Sequence, residues 1–255
     1  GATGNHVETT VGTVSARAAN GGIYLRETDA LIVGDVSVTI SKVDSAAAVS
    51  TVTDATQSDV MTTGGNGNVV IRSTGGNITL NDGTAGGTTG LAVSANGSGN
   101  VLIEAIRNDT DITANTDVVS ASGHITVQAG QSVIFAANAD IRTGTTGTID
   151  VEAGTGSITM DATSLYTTGT GDIRMLAAQT ITVGDVSTGG NASLTATAGS
   201  ILDADSAVGA DDTNLNITAV GLRLNAGTAV GATGNHVETT VGTVSARAAN
   251  GGIYL

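Results

Sequence analysis

Residues able to do chemistry are few in this chain, and only one segment gathers them. Asp203, Asp205, Asp211 and Asp212 crowd a single loop. Hard cations take oxygen ligands, so these four carboxylates are the calcium candidates. The stretch GGNGNVVIR at 64–72 has the glycine-rich opening of a calcium-binding nonapeptide, but Asn68 and Val69 replace the expected acidic position. Nucleophilic catalysis lacks its parts. There is no cysteine, and the three histidines are His6, His124 and His236. His124 precedes an alternating apolar stretch, in the slot that Asn100, Thr148 and Asp172 fill elsewhere. That slot reads as a solvated turn. Cleavage or elimination on acidic polysaccharides would need clustered Asp with Arg or Lys, which no outward column assembles. No enzymatic activity and no cofactor other than calcium is expected.

Composition narrows the partners. Lys and Arg number 9 against 23 Asp and Glu, for a net charge of −14. Phosphate-backbone binding needs clustered cations, so nucleic acid is excluded as a partner. No apolar run is long enough to span a membrane. Gly numbers 37, and Pro, Cys and Trp are absent. Proline cannot donate to a β ladder, so a chain made mostly of ladder would avoid it. A disordered chain would be poor in branched apolar residues, whereas Val, Ile and Leu recur here at regular positions. Absence of cysteine fits an exported protein held by ladders rather than disulfides.

The elements that position these residues follow from repetition, which has to be read first. Residues 1–25, GATGNHVETTVGTVSARAANGGIYL, recur letter for letter at 231–255. The chain therefore divides into one full repeat, 1–230, and the start of the next, 231–255. We expect a window from a longer array of near-identical units.

A shorter period lies inside the long one. The pattern G-x-[IV]-x-[IVM]-x-A begins at Gly99, Gly123, Gly147 and Gly171, each 24 residues from the last. Stacked on one another, the copies give a column Val101, Ile125, Ile149, Ile173. A second column reads Ile103, Val127, Val151, Met175, and a third Ala105, Ala129, Ala153, Ala177. Alternation with a period of two marks a strand buried on one face. Like apolar residues at a fixed longer period mark coils laid one upon another. The expected fold is all-β, a parallel β-helix (β-solenoid) with three short strands per coil and about 23–26 residues in each. Nine or ten coils would fill the 230-residue repeat. At about 4.8 Å per coil the repeat would be roughly 43–48 Å long.

Along the chain, strands are expected near 7–11, 14–18, 23–25, 31–33 and 36–40. First-face strands are expected to start at Val14, Val38, Val69, Val101, Ile125, Ile149, Ile173, Ala192, Leu215 and Val244. A second strand follows about nine residues on, as in Val14/Ile23, Val69/Ile78 and Ala192/Ile201. The third strand is expected at Ile141, Leu165 and Val186. Residues 41–66 are less regular and predict a wider loop or poorly registered coils, with a short helix over 45–50 as the lesser reading. VGDVS occurs at both 33–37 and 183–187, a further internal duplication. On the outward columns, Asp150 and Arg174 are placed to make a cross-strand ion pair.

The phrases GNITL, GSITM and LTATAGSI resemble the β-helical shafts of filamentous-haemagglutinin-like exoproteins and other giant repetitive bacterial surface adhesins. That resemblance implies a right-handed parallel β-helix, secretion, and an extracellular or cell-surface location as a fibre or stalk. The functional expectation is a structural fibre giving length and stiffness for surface attachment or cell–cell contact. Its partners would be further copies of the repeat stacked end to end in the same chain, with lateral bundling. The alternative is an adhesin whose loops, 41–66 and 203–214, bind a glycan or protein receptor.

Overall fold

The computed structural model describes residues 1–85, 90–205 and 214–255. No helix occurs among them. The chain winds as a parallel β-helix whose coils each lay down three strands. The first face carries five-residue strands such as Val101–Ala105, Ile125–Ala129, Ile149–Ala153 and Ile173–Ala177. The second face carries three-residue strands such as Ile112–Ala114, Val133–Phe135 and Ile158–Met160, in one eight-stranded sheet. Third-face strands include Val60–Thr62, Asp117–Ser120, Ile141–Thr143 and Leu165–Thr167. First and third faces form one seventeen-stranded sheet, because the strands Ile217–Ala226 and Thr239–Ala248 run unbroken around the corner between them.

Register matches the sequence columns. Val101 pairs with Ile125, Ile125 with Ile149 and Ile149 with Ile173; Ile103, Val127, Val151 and Met175 pair in the same order. The full first-face column runs Ile23, Val69, Val101, Ile125, Ile149, Ile173, Ala192, Leu222, Val244. From Ile23 to Leu222 its inward side chains are sealed from solvent by the neighbouring coils. Burying each branched residue contributes about 1.5–3 kcal/mol. The alanine column is equally buried, at the corner where room runs out.

The glycines before these strands have a geometric cause. A Cβ on Gly123 would lie 2.1 Å from the carbonyl oxygen of Gly99, and one on Gly171 would lie 1.9 Å from that of Gly147. Each glycine is thus pressed onto the backbone of the glycine one coil earlier, and no side chain fits between them.

Coils differ mainly at one corner. Between second and third faces the chain turns through Gly184 alone in one coil, whereas 34–59 and 231–238 make long excursions at the same corner, where residues 81–85 and 214–216 also lie. The longest holds an antiparallel hairpin, Thr39–Val43 with Val49–Thr53, closed at its base by a bridge between Val36 and Gln57. The wider loop expected over 41–66 is thus present and carries this hairpin, and the short helix over 45–50 is not formed. Val38 starts no first-face strand; it lies exposed at the foot of the hairpin. Leu215 is exposed as well, and Leu222 takes the first-face position. On the third face Tyr166, not Leu165, pairs with Ile141 and Val186 and fills the core.

Candidate functional site

Three polar ladders run along the corners of the solenoid and decide what its polar side chains are free to do. Ahead of the first face, Asn68 Oδ1 accepts the Asn100 N–H at 2.8 Å. Asn100 Oδ1 accepts the His124 N–H at 2.8 Å, and His124 Nδ1 accepts the Thr148 N–H at 3.2 Å. Asp172 Oδ1 accepts the Asn191 N–H at 2.7 Å. His124 is exposed, as a turn residue should be, but its ring is also a rung of this ladder. A side-chain oxygen or ring nitrogen here caps an amide that bends out of the strand ladder, a local bond of the kind Asn, Asp and Ser favour.

A second ladder precedes the second face. Asn77 Oδ1 accepts the Asp111 N–H at 2.9 Å and Asp111 Oδ1 accepts the Ser132 N–H at 2.9 Å. Ser132, Ser157 and Ser200 continue it with longer bonds of 3.3 Å.

The third ladder precedes the third face and is the acidic one. Asp117 Oδ1 accepts the Asp140 N–H at 2.9 Å, and Asp140 Oδ1 accepts the Leu165 N–H at 2.8 Å. The Arg142 guanidinium joins the two carboxylates, donating to Asp140 at 2.6 Å and also to Asp117. Burial pushes the Asp117 carboxyl above the ordinary carboxylate range, against the pull of the Asp140 amide and Arg142. Asp185, two coils on from Asp140, is raised by burial and by the charge of Asp140.

The calcium candidates fall at this corner. Asp203 Oδ1 accepts the Asn216 amide at 2.7 Å and the Asp205 N–H at 2.9 Å. Asp205 Oδ2 accepts the Asn214 amide at 3.2 Å. Both carboxylates therefore bind the two ends of their own loop. Asp211 and Asp212 lie outside the described residues. Among the described residues no group of three or more His, Cys, Asp and Glu is placed to hold a metal.

A second cluster, not singled out in the sequence, joins the 34–59 excursion to residues 83 and 84 at the same corner. The Asp35 carboxylate accepts the hydroxyl of Ser58, the Thr84 N–H at 2.9 Å and the Thr84 hydroxyl at 2.5 Å. Those bonds, the Ser58 hydroxyl first, hold its pKa below the ordinary value. Asp59 accepts the Gly83 N–H at 3.1 Å beside it. The sequence signal was present but indirect: Asp35 belongs to the repeated VGDVS, whose aspartate stands at a corner in both copies.

Outward columns of the first face carry ion pairs. Arg174 reaches Asp150 at 2.7 Å and Glu152 at 2.5 Å, and Arg72 pairs with Glu104. The expected Asp150–Arg174 pair is thus present, with Glu152 added. On the same face Tyr24, Asn68, Asn100, Leu102 and His124 edge a shallow recess. Polar groups of the described corners are turned to neighbouring coils, so their arrangement serves stacking. No family model, curated protein or solved structure matches the chain.

Proposed function

We propose that this chain is a length-giving segment of an extracellular fibre, built by stacking its 230-residue unit end to end in one continuous solenoid. The observation that carries this reading is the unbroken first-face column from Ile23 to Val244, in which every coil lies in register on the one before it. Neighbour-to-neighbour stacking makes stability grow with coil number, so length is the property such a chain provides. The right-handed winding, bacterial origin, surface location and absence of catalysis belong to this same proposal, as does lateral bundling.

The test is a series of chains holding one, two and three repeats. Rod length in electron micrographs should rise by roughly 43–48 Å per repeat, at about 4.8 Å per coil. Constant rod width with no such increase would sink the fibre reading.

A second reading, an adhesin that binds a glycan or protein receptor, is favoured by one observation. The long excursions all leave the same corner, so a fibre would carry them as a regularly spaced row. Retention of the chain on a glycan array, abolished by deleting 39–53, would put this reading first.

A further inference from the structure

Residues 1–25 and 231–255 are identical in sequence but stack in different frames. In the first copy, Thr13–Val14 lies on the second face beside Ile32 and Val33, and Ala16–Ala18 on the third beside Val60–Thr62. Ile23–Glu27 then opens the first face beside Val69–Ser73. In the second copy, 239–241 lies on the third face and 243–248 on the first, both along Ile217–Ala226. Ile253 bridges to Val230, which follows Ile201 on the second face. Val14 is thus a second-face residue and its twin Val244 a first-face one. Ile23 and Ile253 are exchanged the other way.

The sequence supports both frames. Residues 12–25, GTVSARAANGGIYL, follow the pattern of 67–80, GNVVIRSTGGNITL, where Val69 is on the first face and Ile78 on the second. That is the frame of the second copy. Residues 21–37, GGIYLRETDALIVGDVS, follow 171–187, GDIRMLAAQTITVGDVS, where Ile173, Ile181 and Val186 take the three faces in turn. That is the frame of the first copy. GGIYL fits either as a second-face strand after GTVSARA or as a first-face strand before LIVGDVS. A shift of strand pairing that keeps the apolar face inward leaves both arrangements buried, so pattern alone does not choose between them.

What differs is the neighbour. The second copy lies on a preceding strand, Ile217–Ala226, through nine paired residues. Among the described residues the strands Thr13–Val14 and Ala16–Ala18 of the first copy pair only with later ones, Leu31–Val33 and Val60–Thr62. The first copy's frame also forces the step from Ile23 to Val69 to carry the hairpin, where Val38, Ile40, Val43, Val49 and Val52 are 40–67% exposed. In the frame of the second copy, first-face strands would begin at Val14 and Val38, 24 residues apart, and the apolar alternation Val36, Val38, Ile40 would face the core.

We propose that residues 1–62 form a register-switching joint. When the C-terminal coils of a preceding repeat in the same chain lie beneath them, they take the frame of 231–255. The hairpin then opens into solenoid strands. This inference rests on the end-to-end stacking proposed above. It identifies the surface that receives the next unit, and what covers the exposed valines of the hairpin.

The native chain has no cysteine, so two introduced ones report a single contact. Ser41 and Thr51 face each other across the hairpin, and Arg223 and Ser245 lie side by side on adjacent first-face strands. Both separations suit a disulfide. In the 255-residue chain, Ser41→Cys with Thr51→Cys should close readily, and so should Arg223→Cys with Ser245→Cys. The decisive chain continues past Leu255 through residues 26–255 once more. There the second repeat's counterparts of the hairpin pair should close at least tenfold more slowly than the first repeat's, while the joint pair still closes. Internal hairpin closure at the terminal rate overturns the proposal, and so does failure of the joint pair. Electron micrographs of the same chain separate this from the reading beneath it. One straight rod of doubled length with an intact internal hairpin would reject only the switch; two rods meeting at a bend would reject the stacking.

Discussion

Tyr166 is the largest side chain wholly inside the solenoid, and its hydroxyl has no hydrogen-bond partner there. Burial, and the charge of Asp140 after it, raises its pKa well above the ordinary tyrosine value, so it stays neutral. Its ring is held edge-on against Phe135, centroids 5.1 Å apart, a contact that does not need the oxygen. A buried unpaired hydroxyl costs about 1–3 kcal/mol. Tyr166→Phe should therefore stabilise the fold by about 1 kcal/mol in urea denaturation; a loss of similar size would contradict the orphan hydroxyl. Asp185 gives a pH signature. Its folded pKa is raised, so the folded state holds the proton more tightly than the unfolded one. Its contribution is fully present below the ordinary aspartate value and is lost as pH rises through the raised one. Asp185→Asn should flatten the stability profile in that window and raise stability at neutral pH. An unchanged profile would mean that the carboxyl is solvated. Residue 166 shows where sequence reading stopped. Leu165 and Tyr166 are both apolar neighbours on a three-residue strand, too short for alternation to set the phase.

At the scale of elements, the first face was the most legible because three equal steps of 24 residues put like side chains in columns. Cutting one column should be expensive. Ile149→Ala should lose about 2–5 kcal/mol, whereas Thr126→Ala on the outward side should stay within about 0.5 kcal/mol. The glycine column makes a sharper test. Gly171→Ala drives its Cβ into the Gly147 carbonyl and should lose at least about 2 kcal/mol. Gly12→Ala, whose Cβ would meet nothing within 4 Å, should be neutral or stabilise by up to about 1 kcal/mol. Equal effects at the two sites would remove close backbone approach as the reason for the column. The hairpin was not legible for a physical reason. Alternation at Val38/Ile40 reports an extended strand with one apolar side, but not which strand it will pair with, and Val49 and Val52, three residues apart, fall on opposite faces of theirs. The corner ladders were half legible. Asn100, His124, Thr148 and Asp172 shared a slot, yet the amides that Asn100, His124 and Asp172 cap belong to the next coil and show only in three dimensions.

For the whole molecule, the account stands on one claim: that coils stack without interruption along a single axis and that repeats continue that stack. Sequence repetition made the claim available, since identical 25-residue segments bracket the unit, but left open how the units meet. Of the four calcium candidates, Asp203 and Asp205 accept hydrogen bonds from Asp205, Asn214 and Asn216, and Asp211 and Asp212 lie outside the described residues. Cryo-electron microscopy of purified multi-repeat fibre tests the central claim most directly. The account predicts an axial layer line at about 4.8 Å and a unit repeat of roughly 43–48 Å. A repeat of about 70 Å or more with no axial 4.8 Å signal would contradict it, since strands would then not run across the fibre axis at that spacing.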